Sequence, residues 1–313
     1  MSTASPVPGR YNAAPGRAPE SGGAAFDWQP DGPNLVVAGD NLEVIARLPD
    51  GAFRLIYLDP PFNTGRTQSR QRLRTTRSES GRRIGFKGQS YETVKGAVSA
   101  FSDSFMDYWE FLEPRLLEAR RLLAGDGTLY LHLDYREVHY AKVLLDALFG
   151  PDSFLNEIIW AYDYGARPKR RWPAKHDSIL VYVKDPSQYF FAAESVEREP
   201  YLAPGLVPPD KAARGKLPTD VWWHTIVSPT GREKTGYATQ KPEAIIRRMV
   251  QASSEPGDWT LDYFAGSGTL GAVAAALGRR FVLVDSNPEA MRIMRARLLA
   301  ASGTAFVGWC QGA

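Results

Sequence analysis

The chain has 313 residues, of which 43% are hydrophobic and 23% are charged, and its formal net charge is +3. That length is enough for one large domain or two small ones with a substantial core. We expect a soluble, cytoplasmic protein without a membrane partner, because no apolar run reaches membrane-spanning length and no signal pattern begins the sequence. One cysteine excludes an internal disulfide framework, and four histidines without metal-ligand spacing predict no metal site.

The first elements are an arm and a βαβ unit. Residues 1–33 are rich in Ala, Pro, Gly and Ser and predict a disordered arm, so the main domain is expected to span 34–313. Asn34 to Ala38 is an apolar run typical of a strand, and helical spacing predicts a helix from Asn41 to Leu48. Asp40, between them, fits two roles equally well: a helix cap or a ligand contact.

The next predicted strand, Phe53 to Leu58, runs into Asp59-Pro60-Pro61-Phe62. Ligands of open α/β sheets lie beyond the carboxyl ends of the strands, so Asp59 is expected to project into a site. Proline has a carbonyl but no N–H, and its fixed φ stiffens the turn. Asp59 and the Pro60 carbonyl would present two acceptors beside the ring of Phe62, which suits the amino group of a nucleobase. A proline-rich turn with Asp59 as a cap fits the same residues.

A long basic segment follows at about 63–101. It has no clear periodicity, and structureless loops of this length are usually functional or disordered. Its cations would neutralise phosphates and hold a nucleic acid beside Asp59. A solvated, disordered insertion is the alternative, and both interpretations hold if the loop orders only on binding. The cations assigned to this interface are Arg66, Arg70, Arg72, Arg74, Arg77, Arg82, Arg83 and Lys87.

The middle of the chain alternates between helices and strands. Its spacing predicts helices from Ser104 to Leu123 and from about Glu137 to Phe149, with a buried strand from Thr128 to Leu133 between them. Ser153 to Tyr162 and Asp177 to Lys184 are β-rich and predict an antiparallel hairpin. We therefore expect an α/β fold with a mainly parallel sheet of about seven strands, helices on both faces and this hairpin at one end.

Two further segments are candidates for contact with nucleic acid. A basic run connects the hairpin strands, and a mixed region at about 188–235 is the natural position of a target-recognition insertion. Aromatic and basic side chains there could stack on bases or bond to them, although packing in the core explains the aromatic residues equally well. The residues assigned to this surface are Arg167, Lys169, Arg170, Arg171, Trp222 and His224.

A second βαβ unit lies near the end of the chain. The strand Trp259 to Tyr263 runs into a glycine-rich bend, a helix from Thr269 to Leu277 and a strand from Phe281 to Val284 that ends in Asp285. The glycines let the backbone approach a ligand and the carboxylate suits ribose hydroxyls, which is typical of nucleoside binding. The bend also satisfies the GxGxxG pattern of NAD and FAD sites, although no dinucleotide half-site follows it.

The order of the two motifs resembles that of the β group of DNA amino-methyltransferases. In this circularly permuted group, which has the Rossmann-like class I methyltransferase fold, an Asp-Pro-Pro-Tyr/Phe motif precedes the half that binds S-adenosylmethionine. The resemblance spans about Asn34 to Ala300 and implies that Asp59, Pro60, Pro61 and Phe62 are catalytic. The cofactor residues that it implies are Asp40, Asn41, Thr239, Gln240, Lys241, Asp262, Phe264, Ala265, Gly266, Ser267, Gly268, Thr269, Asp285, Ser286 and Asn287.

Three of these matches carry specific expectations. The segment from Thr239 to Pro242 matches the family motif that touches the methionine end of the cofactor. Asp285 stands where many relatives have glutamate, and its shorter side chain would make the ribose contact indirect. Phe62 replaces a tyrosine and would keep the stacking face without the hydroxyl.

The resemblance implies a site-specific DNA methyltransferase that flips its target base out of double-stranded DNA. Adenine N6 is favoured over cytosine N4, because Asp in the first motif position resembles adenine enzymes more often. An NAD-linked oxidoreductase would leave the Asp-Pro-Pro-Phe motif without a role, and an inactive DNA-binding relative would not need both motifs intact. A homodimer and a cognate restriction endonuclease are further partners that the resemblance allows.

Overall fold

The computed structural model describes residues 28–62, 108–165, 167–228 and 230–299 with their side chains, and 66–77, 83–84, 90–103, 300–302 and 307–311 by their backbone alone. The predicted arm as far as residue 27 lies outside the described residues. So do Arg82 and Lys87 of the basic segment, and the start of the helix predicted at Ser104.

The folded domain begins before residue 34. The ring of Trp28 packs against the rings of Trp259 and Phe53, with centroids 5.3 and 6.1 Å away. The indole N–H of Trp259 in turn donates a hydrogen bond to the carbonyl of Pro30 at 3.1 Å. Residues 28–33 therefore pack on the domain, and the arm that the composition predicts is shorter than 33 residues.

Twelve strands and seven α-helices occur in the described parts of the chain. The strands are β1 (Asn34–Ala38), β2 (Phe53–Leu58), β3 (Arg66–Arg77), β4 (Arg83–Ile84), β5 (Ser90–Asp103), β6 (Leu123–Leu133), β7 (Phe154–Ala161), β8 (His176–Val183), β9 (Val221–Trp223), β10 (Trp259–Asp262), β11 (Arg280–Asp285) and β12 (Val307–Gln311). The helices are α1 (Asn41–Ile45), α2 (Tyr108–Leu122), α3 (Val138–Phe149), α4 (Pro209–Arg214), α5 (Glu243–Ser253), α6 (Thr269–Ala276) and α7 (Pro288–Ser302).

Nine of these strands form one sheet, in the order β12-β1-β11-β10-β2-β6-β8-β7-β9. Neighbouring strands are parallel except at β8, which is antiparallel to both β6 and β7. The mainly parallel sheet and the hairpin are confirmed. All seven expected strands are present, and β9 and β12 extend the sheet at its two edges. A strand as short as β9 contains too few residues to show a period in the sequence.

Helices cover both faces of the sheet because its strands alternate between two hydrophobic clusters. Val282 and Val284 of β11 pack with residues of α1, α2 and α3, whereas Phe281 and Leu283 pack with residues of α5, α6 and α7. This two-sided burial explains why the parallel strands read as continuous apolar runs in the sequence. None of the described helices combines the length and the apolar character needed to cross a membrane.

The pairing of β2 with β10 brings the two halves of the chain to one edge of the sheet. These strands are parallel neighbours, with Leu55 opposite Thr260 and Ile56 opposite Leu261. Parallel strands end at the same edge, so the motif after β2 and the bend after β10 emerge side by side. The register places a site between segments that are about 200 positions apart in the sequence.

The basic segment contains regular structure that the sequence did not predict. Strand β3 pairs antiparallel with β5, from Arg66 opposite Asp103 to Arg77 opposite Tyr91, and β4 joins β5 in a separate three-stranded sheet. The expectation of a structureless loop is therefore wrong for these strands. Their sequences are largely polar, and without an apolar alternation the period-two signal of a strand is absent.

Candidate active site

A cavity of about 370 Å³ opens where β1, β2, β10 and β11 end. The whole Asp59–Phe62 motif lines it, and so does most of the glycine bend, so the two predicted motifs share one cavity. The cofactor-assigned residues on its wall are Asp40, Asn41, Thr239, Lys241, Asp262, Phe264, Ala265, Gly266, Ser267, Thr269, Asp285, Ser286 and Asn287.

Asp59 is paired with a cation from the loop before α5. The ammonium of Lys241 donates a hydrogen bond to Asp59 Oδ2, and the side chains of Lys241 and Asp59 are only 11% and 15% exposed. The same ammonium lies 4.9 Å from the centre of the Phe62 ring. Asp59 Oδ1 is buried and has no hydrogen-bond partner among the described residues. Because a buried acceptor without a donor is costly, Oδ1 marks a position where a ligand donor would be favourable.

A buried polar chain supports Phe62 from behind. The ring of His132 lies 5.9 Å from that of Phe62, and its Nδ1 is 2.9 Å from the Tyr57 hydroxyl. His132 Nε2 lies 3.2 Å from one oxygen of Asp177, and Tyr162 donates a hydrogen bond to the other at 3.0 Å. Burial alone would raise the pKa of Asp177, but the hydrogen bond with His132 and the neighbouring positive charge together outweigh burial and lower it. This chain crosses four neighbouring strands and holds the Phe62 ring in place.

The bend between β10 and α6 requires its glycines. Gly266 and Gly268 have φ values of 50° and 70°, in the left-handed region that other residues rarely adopt. A Cβ on Gly268 would lie 2.8 Å from Met294 Cγ, and one on Gly266 would lie 3.0 Å from the Tyr237 ring. Asp285 accepts a hydrogen bond from the Gly266 N–H at 2.7 Å, which fixes the bend against β11.

Substituting valine for Gly266 is expected to raise the cofactor dissociation constant by about 10-fold or more. A left-handed conformation costs a non-glycine residue about 1–3 kcal/mol, and about 1.4 kcal/mol corresponds to tenfold in affinity. The new Cβ also displaces the Tyr237 ring from the cavity wall. Isothermal titration with S-adenosylmethionine measures the effect. The matched control is Gly205→Val, since no atom lies within 4 Å of a Cβ there. Equal affinity in the Gly266 variant and wild type would contradict the role of the bend.

Asp262 places a buried carboxyl group in the cavity wall. Its Oδ1 accepts a hydrogen bond from the Phe264 N–H at 2.9 Å. Burial raises its pKa well above the usual range, and the charges of Asp59 and Asp285 raise it further. A cationic ligand group beside Asp262 would reverse this shift. No group of three or more His, Cys, Asp or Glu in the described parts of the chain is arranged to hold a metal ion.

The Asp262→Asn variant is expected to be more stable than wild type near neutral pH. The raised pKa of Asp262 stabilises the folded state fully below the unfolded pKa of 3.8, and this contribution is lost as the pH rises through the folded pKa. Asparagine stays neutral and keeps the acceptor for Phe264, so its advantage should disappear below about pH 4. Thermal unfolding between pH 4 and 8 tests this. The same pH dependence in both proteins would contradict a raised pKa.

Arg115 of α2 completes the opposite wall. Its Nε donates a hydrogen bond to Asn41 Oδ1 at 2.8 Å, and the Asn41 amide donates to the carbonyl of Tyr263 at 2.9 Å. Asp40 accepts a hydrogen bond from the Leu42 N–H at 2.9 Å and lies 3.9 Å from the Arg115 guanidinium. Asp40 therefore caps α1, one of its two predicted roles, and it also lines the cavity.

Gln240 and Gly268, two of the predicted cofactor residues, do not line the cavity. The buried Gln240 amide accepts a hydrogen bond from the Thr235 N–H at 2.9 Å and donates to the Glu233 carbonyl at 2.6 Å. It stabilises the turn before α5, so its prediction as a cofactor contact is not supported by this geometry. Gly268 lies behind the bend, where it makes room for Met294.

Trp222 is buried and is not available for stacking on a base. Its indole N–H donates a hydrogen bond to the Thr219 carbonyl at 2.7 Å, and the Arg248 guanidinium covers its ring at 5.3 Å. The strand period turns Trp222 inward and Trp223, 76% exposed, outward. The prediction of a DNA contact at Trp222 is therefore wrong. His224 is half-buried at the end of β9.

The connector between β7 and β8 is exposed at the same edge of the sheet as the cavity. Its predicted DNA contacts Arg167, Lys169, Arg170 and Arg171 are all exposed, and Arg167 forms an ion pair with Asp163 at 2.7 Å. The predicted contacts of the basic segment that have a described backbone lie on β3 and β4; these are Arg66, Arg70, Arg72, Arg74, Arg77 and Arg83.

Several cavity residues were missed by sequence reasoning. Arg115 had a detectable signal, because it interrupts the apolar face of α2 between Leu112 and Leu116. Tyr237 had none, since its loop has no period; burial and then the charge of Asp285 raise its pKa. The other missed residues on the wall are Gly39, Tyr57, Phe111 and Tyr263.

Solved structures with a similar fold define the class of protein. The structure of the M1.HpyAVI–SAM complex matches 84% of this chain and 98% of its own with a TM-score of 0.54 at 20% identity. TTHA0409 from Thermus thermophilus, a DNA modification methylase, matches 88% of this chain and 99% of its own with a TM-score of 0.56 at 21% identity. The fold is that of the class I DNA methyltransferases.

Sequence comparison then identifies the family. The family model described as DNA methylase (N6_N4_Mtase) matches residues 53–296, which include both motifs. The chain belongs to this family of DNA methylases. It is 29% identical over 275 residues to the DNA adenine methyltransferase YhdJ of Escherichia coli K12, a match that covers 85% of this chain and 83% of that protein. It is 28% identical over 263 residues to the type II methyltransferase M.HpaI of Haemophilus parainfluenzae, covering 84% and 73%.

Proposed function

We propose that this DNA methylase transfers a methyl group from S-adenosylmethionine to the exocyclic N6 of adenine in a base flipped out of duplex DNA. The observation that carries the proposal is the shared cavity. On one side it has the buried, donor-free oxygen of Asp59, and on the other it has the glycine bend after β10. An amino acceptor and a methyl donor would therefore meet between these two strand ends.

The wall around the bend fits S-adenosylmethionine. Asp262 is buried with a raised pKa, so a cationic group of the cofactor would stabilise its ionised form. Gly266 has no side chain to fill the cavity beside Tyr237. Asp285 spends its two oxygens on the N–H groups of Gly266 and Asn287, at 2.7 and 2.8 Å, so we propose that it shapes the ribose site indirectly. When bound, the cofactor supplies an electrophilic methyl group.

The Asp59 side would hold the base. Phe62, backed by His132, offers a flat face for stacking. Asp59 Oδ1 and the Pro60 carbonyl would accept hydrogen bonds from the two amino hydrogens, which draws the nitrogen lone pair out of conjugation with the ring. The amino group is not reachable inside a stacked duplex, so the base must be flipped. Positioning and preorganised acceptors then supply most of the rate enhancement.

Adenine is favoured because Asp opens the catalytic motif and because the relative YhdJ is named an adenine methyltransferase. Cytosine N4 is the second candidate, since the family model covers both N6 and N4 enzymes. An oxidoreductase is not needed to explain the glycine bend, which lies within the matched region. Two relatives, M.HpaI and M.ScaI, are type II methyltransferases, which motivates a restriction endonuclease as a partner of this chain.

The test is methyl transfer by the purified chain from tritiated S-adenosylmethionine to duplex DNA. Modification-sensitive sequencing of DNA from cells with and without the chain gives the base and the site. We expect N6-methyladenine at one short sequence, and no transfer by the Asp59→Ala variant. Label on cytosine would overturn the choice of adenine. No transfer to any duplex would overturn the proposed function.

A further inference from the structure

We propose that Trp172 inserts into the DNA duplex and fills the gap that the flipped base leaves. The inference rests on the proposed function and adds to it the residue that opens the duplex. Trp172 is 94% exposed, more than any other tryptophan or tyrosine that the structure describes. A large aromatic ring held in water is a cost to the free chain, and a partner that covers it removes that cost.

The loop that carries Trp172 is pinned at its base. The N–H of Tyr162 donates a hydrogen bond to the carbonyl of Lys175 at 2.9 Å, and the Lys175 ammonium donates to the carbonyl of Gly165 at 3.1 Å. Trp172 is three residues from Lys175, so it lies at most about 10 Å from this base along the chain. The ring therefore has a restricted reach.

The base of the loop is close to the proposed base pocket. The Tyr162 ring lies 5.1 Å from that of Trp160, which lies 5.6 Å from that of His132. His132 in turn lies 5.9 Å from Phe62. Three consecutive ring contacts thus connect the loop with the stacking platform, so Trp172 stands at the side of the cavity from which a duplex would present its base.

The neighbours of Trp172 indicate a polyanionic partner with stacked rings. Lys169, Arg170 and Arg171 precede it directly and are all exposed. Such cations bind phosphates without reading sequence, while an apolar side chain next to them can wedge between base steps. Trp223, the other strongly exposed tryptophan, follows Trp222 and precedes His224 without a neighbouring Lys or Arg. Charge complementarity therefore selects Trp172 for the duplex.

The experiment places 2-aminopurine at the target position of a duplex that contains the methylated site. Wild-type protein should raise its fluorescence by unstacking the base. In Trp172→Ala we expect most of this increase to be lost and kcat/KM to fall by about 10- to 100-fold, the range of one base–aromatic stack. Trp172→Phe should keep most of both signals. On a duplex with a mismatch at the target, which flips more easily, Trp172→Ala should recover to within about threefold of wild type.

Two controls separate insertion from simple DNA binding. Trp223→Ala removes a matched exposed tryptophan and should behave as wild type, and Trp172→Ala should keep the salt dependence of wild-type binding because no phosphate contact is lost. Unchanged fluorescence in Trp172→Ala, an equal loss on matched and mismatched duplexes, or a loss in Trp223→Ala instead would overturn the proposal. Absence of methyl transfer by wild type would contradict the proposed function and leave the fluorescence test of Trp172 intact.

Discussion

Replacing Asp59 with alanine is expected to abolish methyl transfer while cofactor binding is largely preserved. The variant removes the free Oδ1 acceptor and the partner of Lys241 together. Loss of one preorganised hydrogen-bonding group in an active site lowers kcat by about 10²- to 10³-fold, and Asp59 combines such a group with a charge. Single-turnover methyl transfer at saturating S-adenosylmethionine measures the chemical step, and titration of the cofactor measures its binding separately.

The Asp59→Asn variant is the matched control, because it keeps the size of the side chain and one acceptor oxygen while removing the charge. We expect its rate to lie between those of wild type and the alanine variant. Near wild-type turnover in Asp59→Ala would show that the acceptor frame at the end of β2 is not catalytic. Loss of cofactor binding in both variants would instead assign Asp59 to the cofactor.

Much of the fold could be read from the sequence because local signals and sheet topology agree. The strands Asn34–Ala38 and Phe53–Leu58 are apolar runs followed closely by acidic residues, and both have the predicted bounds. A glycine bend at Gly266 requires no tertiary information to be recognised, since only glycine tolerates its φ easily. Parallel strands end at one edge, so the meeting of both motifs in one cavity follows from the strand order.

Features that depend on tertiary contacts could not be read in this way. The two faces of β9 differ only through what packs on them, so the sequence could not tell the buried Trp222 from the exposed Trp223. Gln240 lies in a motif that resembles a cofactor contact, yet its amide hydrogen-bonds within its own loop. The basic segment lacked an apolar period, and its pairing of β3 with β5 is backbone pairing that composition does not encode.

Lys241 shows how sequence and geometry lead to different expectations for one residue. Its motif matches a contact with the methionine end of the cofactor, whereas the structure pairs it with Asp59 and places it 4.9 Å from the Phe62 ring. In that position it balances a carboxylate in a pocket that also contains Asp262. It also occupies Oδ2, so that only Oδ1 of Asp59 remains for the amino group. We therefore expect Lys241 to act mainly by positioning Asp59.

The Lys241→Met variant distinguishes these two roles. We expect kcat at saturating cofactor to fall by about 10- to 100-fold, because breaking a buried ion pair leaves an uncompensated carboxylate and a less defined acceptor. Lys241→Arg keeps the cation and should restore part of the rate. A higher cofactor dissociation constant with an unchanged kcat would assign Lys241 to the cofactor instead. Thermal unfolding of both variants shows whether a lost rate merely reflects lost folding, since a positioning role predicts a slow enzyme that is still folded and binds S-adenosylmethionine.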